Sequence, residues 1–137
     1  MSKKFTDLGI STALSKALSE LKITVPTEIQ QKTIPLLLEN KTDLVGLAKT
    51  GTGKTAAFGL PILQLIDTNS PLVQAVILAP TRELGQQIFK NLESFATFLP
   101  QVSIAATCGG IPIKPQIERL TAPTHIVVAT PGRLIDL

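Results

Sequence analysis

The chain has 137 residues, a hydrophobic fraction of 44% and a formal net charge of +3. This length and hydrophobic content are typical of one compact domain with its own core, and they argue against a disordered chain. A single cysteine excludes an internal disulfide, and a single histidine speaks against a zinc cluster, so we expect a protein of the reducing cytoplasm. No apolar run is long enough to cross a bilayer, and no membrane partner is expected.

Helical periodicity marks the first elements of the chain. Apolar residues recur at helical spacing across residues 11–21, which predicts an amphipathic helix. Thr27 and Gln30 form the capping-box pattern that opens a second helix, and Pro35 within that helix is expected to bend it.

Short apolar segments then alternate with helical ones. Residues 43–47 are apolar and are followed by a glycine-rich turn, which predicts a buried strand. Residues from Lys54 to about Asp67 predict a helix with a kink at Pro61. The remaining predicted elements are, in chain order, a strand at 74–78, a helix at 83–97, a strand at 102–106, a short helix at 114–120 and a strand at 125–129.

This alternation predicts an α/β fold in which a parallel sheet is covered by helices on both faces. In such sheets, ligands bind beyond the carboxyl ends of the strands. The segments that directly follow predicted strands are residues 48–55, 79–83 and 130–133. We therefore expect these segments to lie along one edge of the sheet and to form one functional surface.

Residues 48–55 follow the phosphate-loop pattern, with an alanine where the general pattern has glycine. In this pattern, Gly51 and Gly53 let the backbone curl so that N–H groups point at phosphate oxygens. Lys54 can reach the β- and γ-phosphates of a nucleoside triphosphate, and the Thr55 hydroxyl can bind Mg²⁺. The alternative is a glycine-rich turn with a chance lysine. The predicted nucleotide-binding residues of the loop are Ala48, Lys49, Thr50, Gly51, Thr52, Gly53, Lys54 and Thr55.

With its alanine start, this loop resembles the first motif of the DEAD-box RNA helicase family. Other motifs of that family match in the right order over nearly the whole chain, namely the Q motif at Phe5 and 26–30, Pro80–Leu84, the glycine pair Gly109–Gly110 and Thr130–Arg133. The resemblance implies a RecA-like phosphate-loop domain over residues 1–137. It also implies that the protein from which this chain comes is an RNA helicase driven by ATP, with ATP and Mg²⁺ as its cofactors.

Two residues depart from the family's pattern. Lys22 stands where the Q motif usually has glycine, and Gly85 stands where the family usually has alanine. Neither departure removes a chemical group that the mechanism needs.

The resemblance assigns the adenine contacts to Gln30 and Phe5. Family members use the Q-motif glutamine to hydrogen-bond the adenine edge, and the amide of Gln30 offers the matching donor and acceptor. The upstream aromatic residue of the family stacks on the base, which corresponds to Phe5. Lys54 and Thr55 are the implied catalytic residues, and Thr55 is the implied magnesium ligand. The residues alone leave open that Gln30 is a helix cap and that Phe5 is a core anchor.

The other motifs are implied to bind RNA through its sugar-phosphate backbone, with little sequence preference. Arg82 and Arg133 are the cationic candidates. Without the resemblance, Arg82 and Glu83 would form a surface ion pair at a helix start, and Gly109–Gly110 would be an ordinary loop. The implied RNA-binding residues are Pro80, Thr81, Arg82, Gly109, Gly110, Thr130, Pro131, Gly132 and Arg133.

Parts of the family's machinery lie outside the sequence. The Asp-Glu-Ala-Asp motif, which supplies the magnesium-holding carboxylate, and the second RecA-like domain are absent from the 137 residues. We therefore expect a C-terminally incomplete first domain that binds ATP weakly and does not turn it over alone. Because an incomplete sheet leaves an edge unpaired, we also expect low stability or self-association.

Two other functions stay open at this point. One is a phosphate-loop ATPase of another class, such as a DNA helicase or a transport ATPase, although the Q motif and Pro80–Leu84 argue against it. The other is a binding module that grips RNA or sequesters partners without hydrolysis.

Overall fold

The computed structural model describes residues 3–40, 43–48, 53–107 and 123–136, without the side chains of Asn40, Arg133, Leu134 and Asp136. Its elements are, in chain order, a one-turn 3-10 helix at Phe5–Leu8, α1 at Thr12–Glu20, α2 at Glu28–Asn40, α3 at Lys54–Leu65, β1 at Ala75–Leu78, α4 at Arg82–Phe95, β2 at Ile104–Thr107, β3 at Ile126–Ala129 and α5 at Pro131–Asp136. The chain forms two compact units, residues 1–65 with 95–99 and residues 66–94 with 100–137. The helix predicted at 114–120 lies outside the described residues.

The helices of the first unit begin where the sequence predicts. Ser11 caps α1, because its Oγ accepts a hydrogen bond from the Leu14 N–H at 3.4 Å. The capping box of α2 is confirmed, because the Thr27 N–H donates to Gln30 Oε1 at 2.9 Å and the Gln30 N–H donates to Thr27 Oγ1 at 3.4 Å. Helices α2 and α3 pack on each other and continue through Pro35 and Pro61, so neither proline ends its helix.

Helix α1 ends in a Schellman motif. The Lys22 N–H donates to the Ser19 carbonyl at 3.0 Å, and the Ile23 N–H donates to the Leu18 carbonyl at 2.8 Å. This motif holds Lys22 in the left-handed region, with φ 62°. A residue with a Cβ is destabilised there by about 1–2 kcal/mol. This is a physical reason why the Q motif usually has glycine at this position. The departure at Lys22 therefore lowers stability without removing a binding group.

The buried strand predicted at 43–47 is wrong. Residues 43–48 form no strand, and the side chains of Val45 and Leu47 are 88% and 89% exposed. An extended segment becomes a strand only when its N–H and C=O groups pair with a neighbour, and the strands of the described sheet are β1, β3 and β2. The apolar composition of a segment carries no information on whether a partner strand lies beside it.

The second unit is built on a parallel three-stranded sheet of order β1-β3-β2. In the register, Ala75 and Ile104 both pair with Ile126, and Leu78 and Thr107 both pair with Ala129. All four residues of β3 are buried, as expected for the central strand of a parallel sheet. The predicted parallel sheet with flanking helices is thus confirmed, and the strands begin and end within two residues of their predicted bounds.

Strand β1 forms an edge of this sheet and exposes apolar side chains there. Ala79 donates its N–H to the Ala129 carbonyl at 2.9 Å, so the alternate residues Val76 and Leu78 direct their backbone groups away from β3. Val76 and Leu78 are also 51% and 56% exposed. As far as the described residues go, this edge combines backbone groups that bond to no neighbouring strand with apolar side chains.

No helix within the described ranges has the length and hydropathy to span a membrane.

Candidate functional site

The phosphate loop is described at both ends, at Ala48 and from Gly53 to Thr55, whereas Lys49, Thr50, Gly51 and Thr52 lie outside the described residues. Gly53 has φ +84°, a conformation that side chains rarely adopt, and α3 starts directly after it. The Ala57 N–H donates to the Gly53 carbonyl at 3.2 Å, which leaves the N–H groups of the first turn of α3 for an acceptor in front of the helix. This end of α3 presents N–H donors of the kind that phosphate oxygens accept from.

The Lys54 side chain reaches from the start of α3 back to Ala48, at the other end of the loop. Its Nζ donates to the Ala48 carbonyl at 2.8 Å, and the residue is exposed. The charge therefore lies at the N-terminus of α3, where it adds to the positive end of the helix dipole. Thr55 follows on the first turn and is half-buried.

Gln30 contacts the phosphate loop directly, which the sequence did not indicate. Its Nε2 donates to the Gly53 carbonyl at 3.1 Å, while its Oε1 accepts from the Thr27 N–H. Gln30 is only 3% exposed, so its amide ties the start of α2 to the loop. A Cβ at Gly53 would overlap this amide and would lie 3.2 Å from Thr27 Oγ1. A side chain at position 53 would therefore displace the Gln30 amide, and the positive φ would strain it as well.

Phe5 lies in the one-turn helix at the start of the chain and is 2% exposed. This position matches the interpretation of Phe5 as a core anchor, and the turn contacts both α1 and α2. Stacking on adenine requires the ring to be uncovered, and it stays a prediction.

A cavity of about 280 Å³ lies between α2, α3 and residues 43–48. Its lining is mainly aliphatic and aromatic, with Ile29, Leu37, Leu44 and Phe58, and Lys54 is its charged member. Such a lining offers few polar groups to orient a nucleotide. The donors suited to phosphate therefore lie at the N-terminus of α3 and not in this cavity.

In the second unit, two of the predicted functional segments leave the sheet at the same edge. Leu78 and Ala129 are register partners at the ends of β1 and β3, so the segments that start at Ala79 and Thr130 emerge side by side. This confirms the predicted placement of residues 79–83 and 130–133. Segment 48–55 belongs to the other unit and follows no strand.

The first of these segments is exposed and caps α4. Thr81 Oγ1 accepts from the Leu84 N–H at 3.2 Å, and Pro80 and Arg82 are exposed. The Arg82 guanidinium lies 3.6 Å from the Glu83 carboxylate, and these side chains are 48% and 76% exposed. An exposed pair of this kind is worth less than about 1 kcal/mol, so Arg82 can exchange Glu83 for another anion at little cost.

The second segment opens α5. Thr130 is half-buried, and Pro131 and Gly132 are exposed. A Cβ added at Gly132 would meet no described atom within 4 Å, so packing within the described structure does not require glycine there. The side chain of Arg133 and the pair Gly109–Gly110 lie outside the described residues, so their predicted roles stay predictions.

The sequence of residues 27–137 matches the family model described as "DEAD/DEAH box helicase". The chain belongs to the DEAD/DEAH box helicase family. The curated relatives of this DEAD/DEAH box helicase chain include the ATP-dependent rRNA helicase rrp3 of Sclerotinia sclerotiorum, which is 48% identical over 99% of the chain and 28% of the relative. Another is the ATP-dependent RNA helicase CshA of Limosilactobacillus reuteri, 46% identical over 97% of the chain and 26% of the relative. The chain thus spans less than a third of these relatives.

Solved structures agree with this membership. A DEAD box protein from the hyperthermophile Methanococcus jannaschii superposes with a TM-score of 0.87 at 38% identity, over 99% of this chain and 37% of that one. Dbp5 of S. cerevisiae, in a structure bound to RNA and ADP BeF3, gives a TM-score of 0.87 at 30% identity over 99% of this chain and 34% of that one. The predicted RecA-like fold is confirmed, and the resemblance to DEAD-box helicases with it.

Proposed function

We propose that the protein containing this chain is an ATP-dependent RNA helicase, and that the chain carries part of its ATP site and part of its RNA surface. The observation that carries the proposal is the described end of the phosphate loop, where Gly53 has φ +84° and Lys54 lies at the N-terminus of α3. This geometry occurs in a DEAD/DEAH box chain whose relatives are named ATP-dependent RNA helicases.

Lys54 and Thr55 are the proposed catalytic residues. The N–H groups of the first turn of α3 and the Lys54 ammonium fit a triphosphate, because they present positive charge and donors where Gly53 removes any obstructing side chain. Lys54 exchanges the Ala48 carbonyl for phosphate oxygens in this proposal. The Thr55 hydroxyl would hold Mg²⁺, which neutralises phosphate charge when bound. Lys49, Thr50, Gly51 and Thr52, predicted from the sequence, belong to the proposed site as well.

Gln30 and Phe5 are the proposed adenine contacts. The Gln30 amide uses one donor hydrogen on Gly53 and one acceptor position on Thr27, which leaves a second donor and a second acceptor position for a base. Because the same amide holds Gly53, binding of the base and the shape of the phosphate loop are linked through one side chain.

Replacing Gln30 by alanine in the intact protein should erode the preference for ATP over GTP and weaken the binding of both nucleotides. The loss of preference follows from the lost adenine contact, and the general weakening follows from the lost bond to Gly53. Competition binding with ATP and GTP measures both effects. Gln31→Ala is the matched control, since Gln31 lies in the same helix and bonds to the Pro26 carbonyl at 3.0 Å. An unchanged preference in Gln30→Ala would mean that Gln30 is only a cap.

The proposed RNA surface is the carboxyl edge of the sheet in the second unit. The exposed Arg82 and the Thr81 hydroxyl lie beside the segment of Thr130, Pro131 and Gly132. A close-lying sugar-phosphate backbone would account for glycine at position 132, where packing does not require it. Gly109, Gly110 and Arg133 complete the surface in this proposal.

RNA-stimulated phosphate release tests the proposed activity. The intact protein should release phosphate from ATP faster when RNA is added, whereas the 137-residue chain should bind ATP weakly and release none. The reason is that the chain contains neither the Asp-Glu-Ala-Asp carboxylates nor a second RecA-like domain, which we propose as its partner in the active site. Stimulated release from the purified chain would refute the second statement, and absent stimulation in the intact protein would refute the first.

We also propose that the isolated chain associates with itself through the β1 edge. Backbone groups without a partner strand in the described sheet, beside the exposed Val76 and Leu78, are the features by which sheet edges join. Sedimentation equilibrium should show dimers, and Val76→Lys should shift them to monomers because edge lysines oppose pairing. A stable, well-folded monomer of the unaltered chain would contradict this.

A cytoplasmic location, proposed from the cysteine content, is tested by cell fractionation.

A further inference from the structure

The cavity between α2, α3 and residues 43–48 is lined on one side by a single face of α2. Ile29, Thr33 and Leu37 follow one another at four-residue spacing, so their side chains lie one above the other on that helix. Ile29 and Leu37 are half-buried, and Thr33 is 6% exposed. The Thr33 hydroxyl donates its hydrogen to the Ile29 carbonyl at 2.8 Å. These three side chains therefore offer apolar surface and no free hydrogen-bond donor.

Helix α3 forms the second wall of the cavity. Ala57 and Phe58 stand one turn after Lys54 and line the cavity together with it. Ala57 is buried and Phe58 is half-buried, while Leu44 on the third side is 39% exposed. The cavity therefore has a buried interior and a side that solvent reaches. Its volume of about 280 Å³ corresponds to roughly nine water molecules in the liquid, which is room for a small molecule of about that many non-hydrogen atoms.

Lys54 carries the charge among the described residues that line the cavity. Its Nζ donates to the Ala48 carbonyl at 2.8 Å, so the ammonium group lies where the third wall, residues 43–48, ends. This acceptor is neutral, and a carboxylate oxygen forms a stronger hydrogen bond with an ammonium group than a carbonyl does. The lining thus combines apolar surface over most of its extent with one positive charge at a single place.

We propose that this cavity is a binding site for a small amphiphilic anion, a carboxylate on a short aliphatic chain. The chain of the ligand lies against Ile29, Leu37 and Phe58, and its carboxylate accepts from Lys54 in place of the Ala48 carbonyl. A neutral apolar molecule would leave the ammonium group unused, and a small polar anion would leave the apolar walls unfilled. Because Lys54 is also the proposed phosphate ligand, this acid and a triphosphate compete for one ammonium group. Only that competition rests on the proposed function.

The test compares octanoate, 1-octanol and acetate as ligands of the 137-residue chain by isothermal titration. Octanoate should bind, and octanol should bind roughly tenfold more weakly because it lacks the charge-assisted bond to Lys54. Acetate should show no measurable binding, because it buries almost no apolar surface. Absent octanoate binding, equal affinities for octanoate and octanol, or acetate binding as tight as octanoate binding would each overturn the proposal.

Gly46→Leu tests whether the ligand occupies the cavity. A Cβ added at Gly46, which lines the cavity, would lie 3.8 Å from Ile29 Cδ1, an ordinary contact, so the leucine side chain can fill this space. The Kd for octanoate should rise at least about tenfold. Val45→Phe is the matched control, because the neighbouring Val45 is 88% exposed and is not part of the lining. It should leave the Kd within about twofold. An unchanged Kd in Gly46→Leu would overturn the proposal.

Lys54→Met tests the contribution of the charge, since it keeps the length of the side chain and removes the ammonium group. This variant should bind octanoate no better than octanol, and a retained preference for octanoate would overturn the proposal. Lys54 is exposed, so the substitution leaves the core intact. Should Gly46→Leu not fold by circular dichroism, Lys54→Met decides.

Inorganic triphosphate separates this proposal from the proposed function. At about ten times its own Kd, triphosphate should raise the apparent Kd of octanoate roughly tenfold, because both ligands need Lys54. If triphosphate does not bind the chain at all, the proposed phosphate site fails, and the octanoate titrations still decide on the cavity. If both ligands bind and triphosphate leaves the Kd of octanoate unchanged, the shared use of Lys54 is overturned.

Discussion

Replacing Lys54 by alanine is expected to abolish detectable ATP binding to the chain. The ammonium group is exposed and lies at the N-terminus of α3, and its hydrogen bond within the described residues goes to a neutral acceptor, the Ala48 carbonyl. We therefore expect it to be available to phosphate. Charge-assisted hydrogen bonds to two phosphate groups together account for about 3 kcal/mol, which corresponds to roughly a 100-fold rise in Kd. Isothermal titration with ATP and Mg²⁺ measures the change.

Lys32→Ala provides the matched control for Lys54→Ala. Lys32 is another exposed lysine of the first unit, and it donates to Glu28 at 2.8 Å on the outer face of α2. This bond lowers the pKa of the Glu28 carboxyl below its ordinary value. The control should bind ATP as the unaltered chain does. If Lys54→Ala binds ATP within about threefold of the unaltered chain, the loop does not hold the phosphates as proposed.

Replacing His125 by alanine should destabilise the second unit by about 2–4 kcal/mol. The imidazole is 4% exposed, its Nδ1 accepts from the Ser103 N–H at 3.0 Å, and its Nε2 lies 3.0 Å from the Ser70 carbonyl. Because Nδ1 accepts, the ring proton is on Nε2 and is donated to Ser70. The ring thus joins the segments in front of β1, β2 and β3, and alanine removes both bonds and leaves a void. Urea unfolding followed by circular dichroism measures the loss.

His125→Asn tests whether the hydrogen bonds, and not only the volume, carry this stability. An asparagine oxygen can take the position of Nδ1 and accept from the Ser103 N–H, so this variant should recover about 1 kcal/mol relative to alanine. Gln86→Ala, an exposed position in α4 of the same unit, should change stability by less than about 0.5 kcal/mol. Equal unfolding midpoints for His125→Ala and the unaltered chain would show that the ring contributes nothing.

The sequence predicted the local elements of this chain well, because local chemistry specifies them. The capping box of Thr27 and Gln30 and the glycine at position 53 each have the geometry that their residue types require. The strands β1, β2 and β3 were also predictable, since they are continuous apolar runs between turn residues. The family could be recognised because its motifs recur in fixed order along the chain, and the comparison with known helicases confirms it.

What the sequence did not reveal depends on contacts between distant segments. The residues 43–47 have strand composition but pair with none of the described strands, and composition does not report on the partner. The bonds from Gln30 to Gly53 and from Gln64 to Gly9 join side chains to backbone groups 23 and 55 positions away, and no spacing rule predicts such bonds. The sequence also leaves the burial of Phe5 open, because an aromatic ring suits both a core and a base.

The position of β3 in the sheet has a consequence for folding during synthesis on the ribosome. The last of the three described strands lies in the middle, so β1 and β2 are both made before the strand that pairs with them in the described sheet. No part of this sheet can form until the segment ending at Ala129 has left the exit tunnel. During that interval the apolar segments of β1 and β2 lack their partner in this sheet. We therefore expect chaperones to bind the nascent chain mainly during this stage of synthesis.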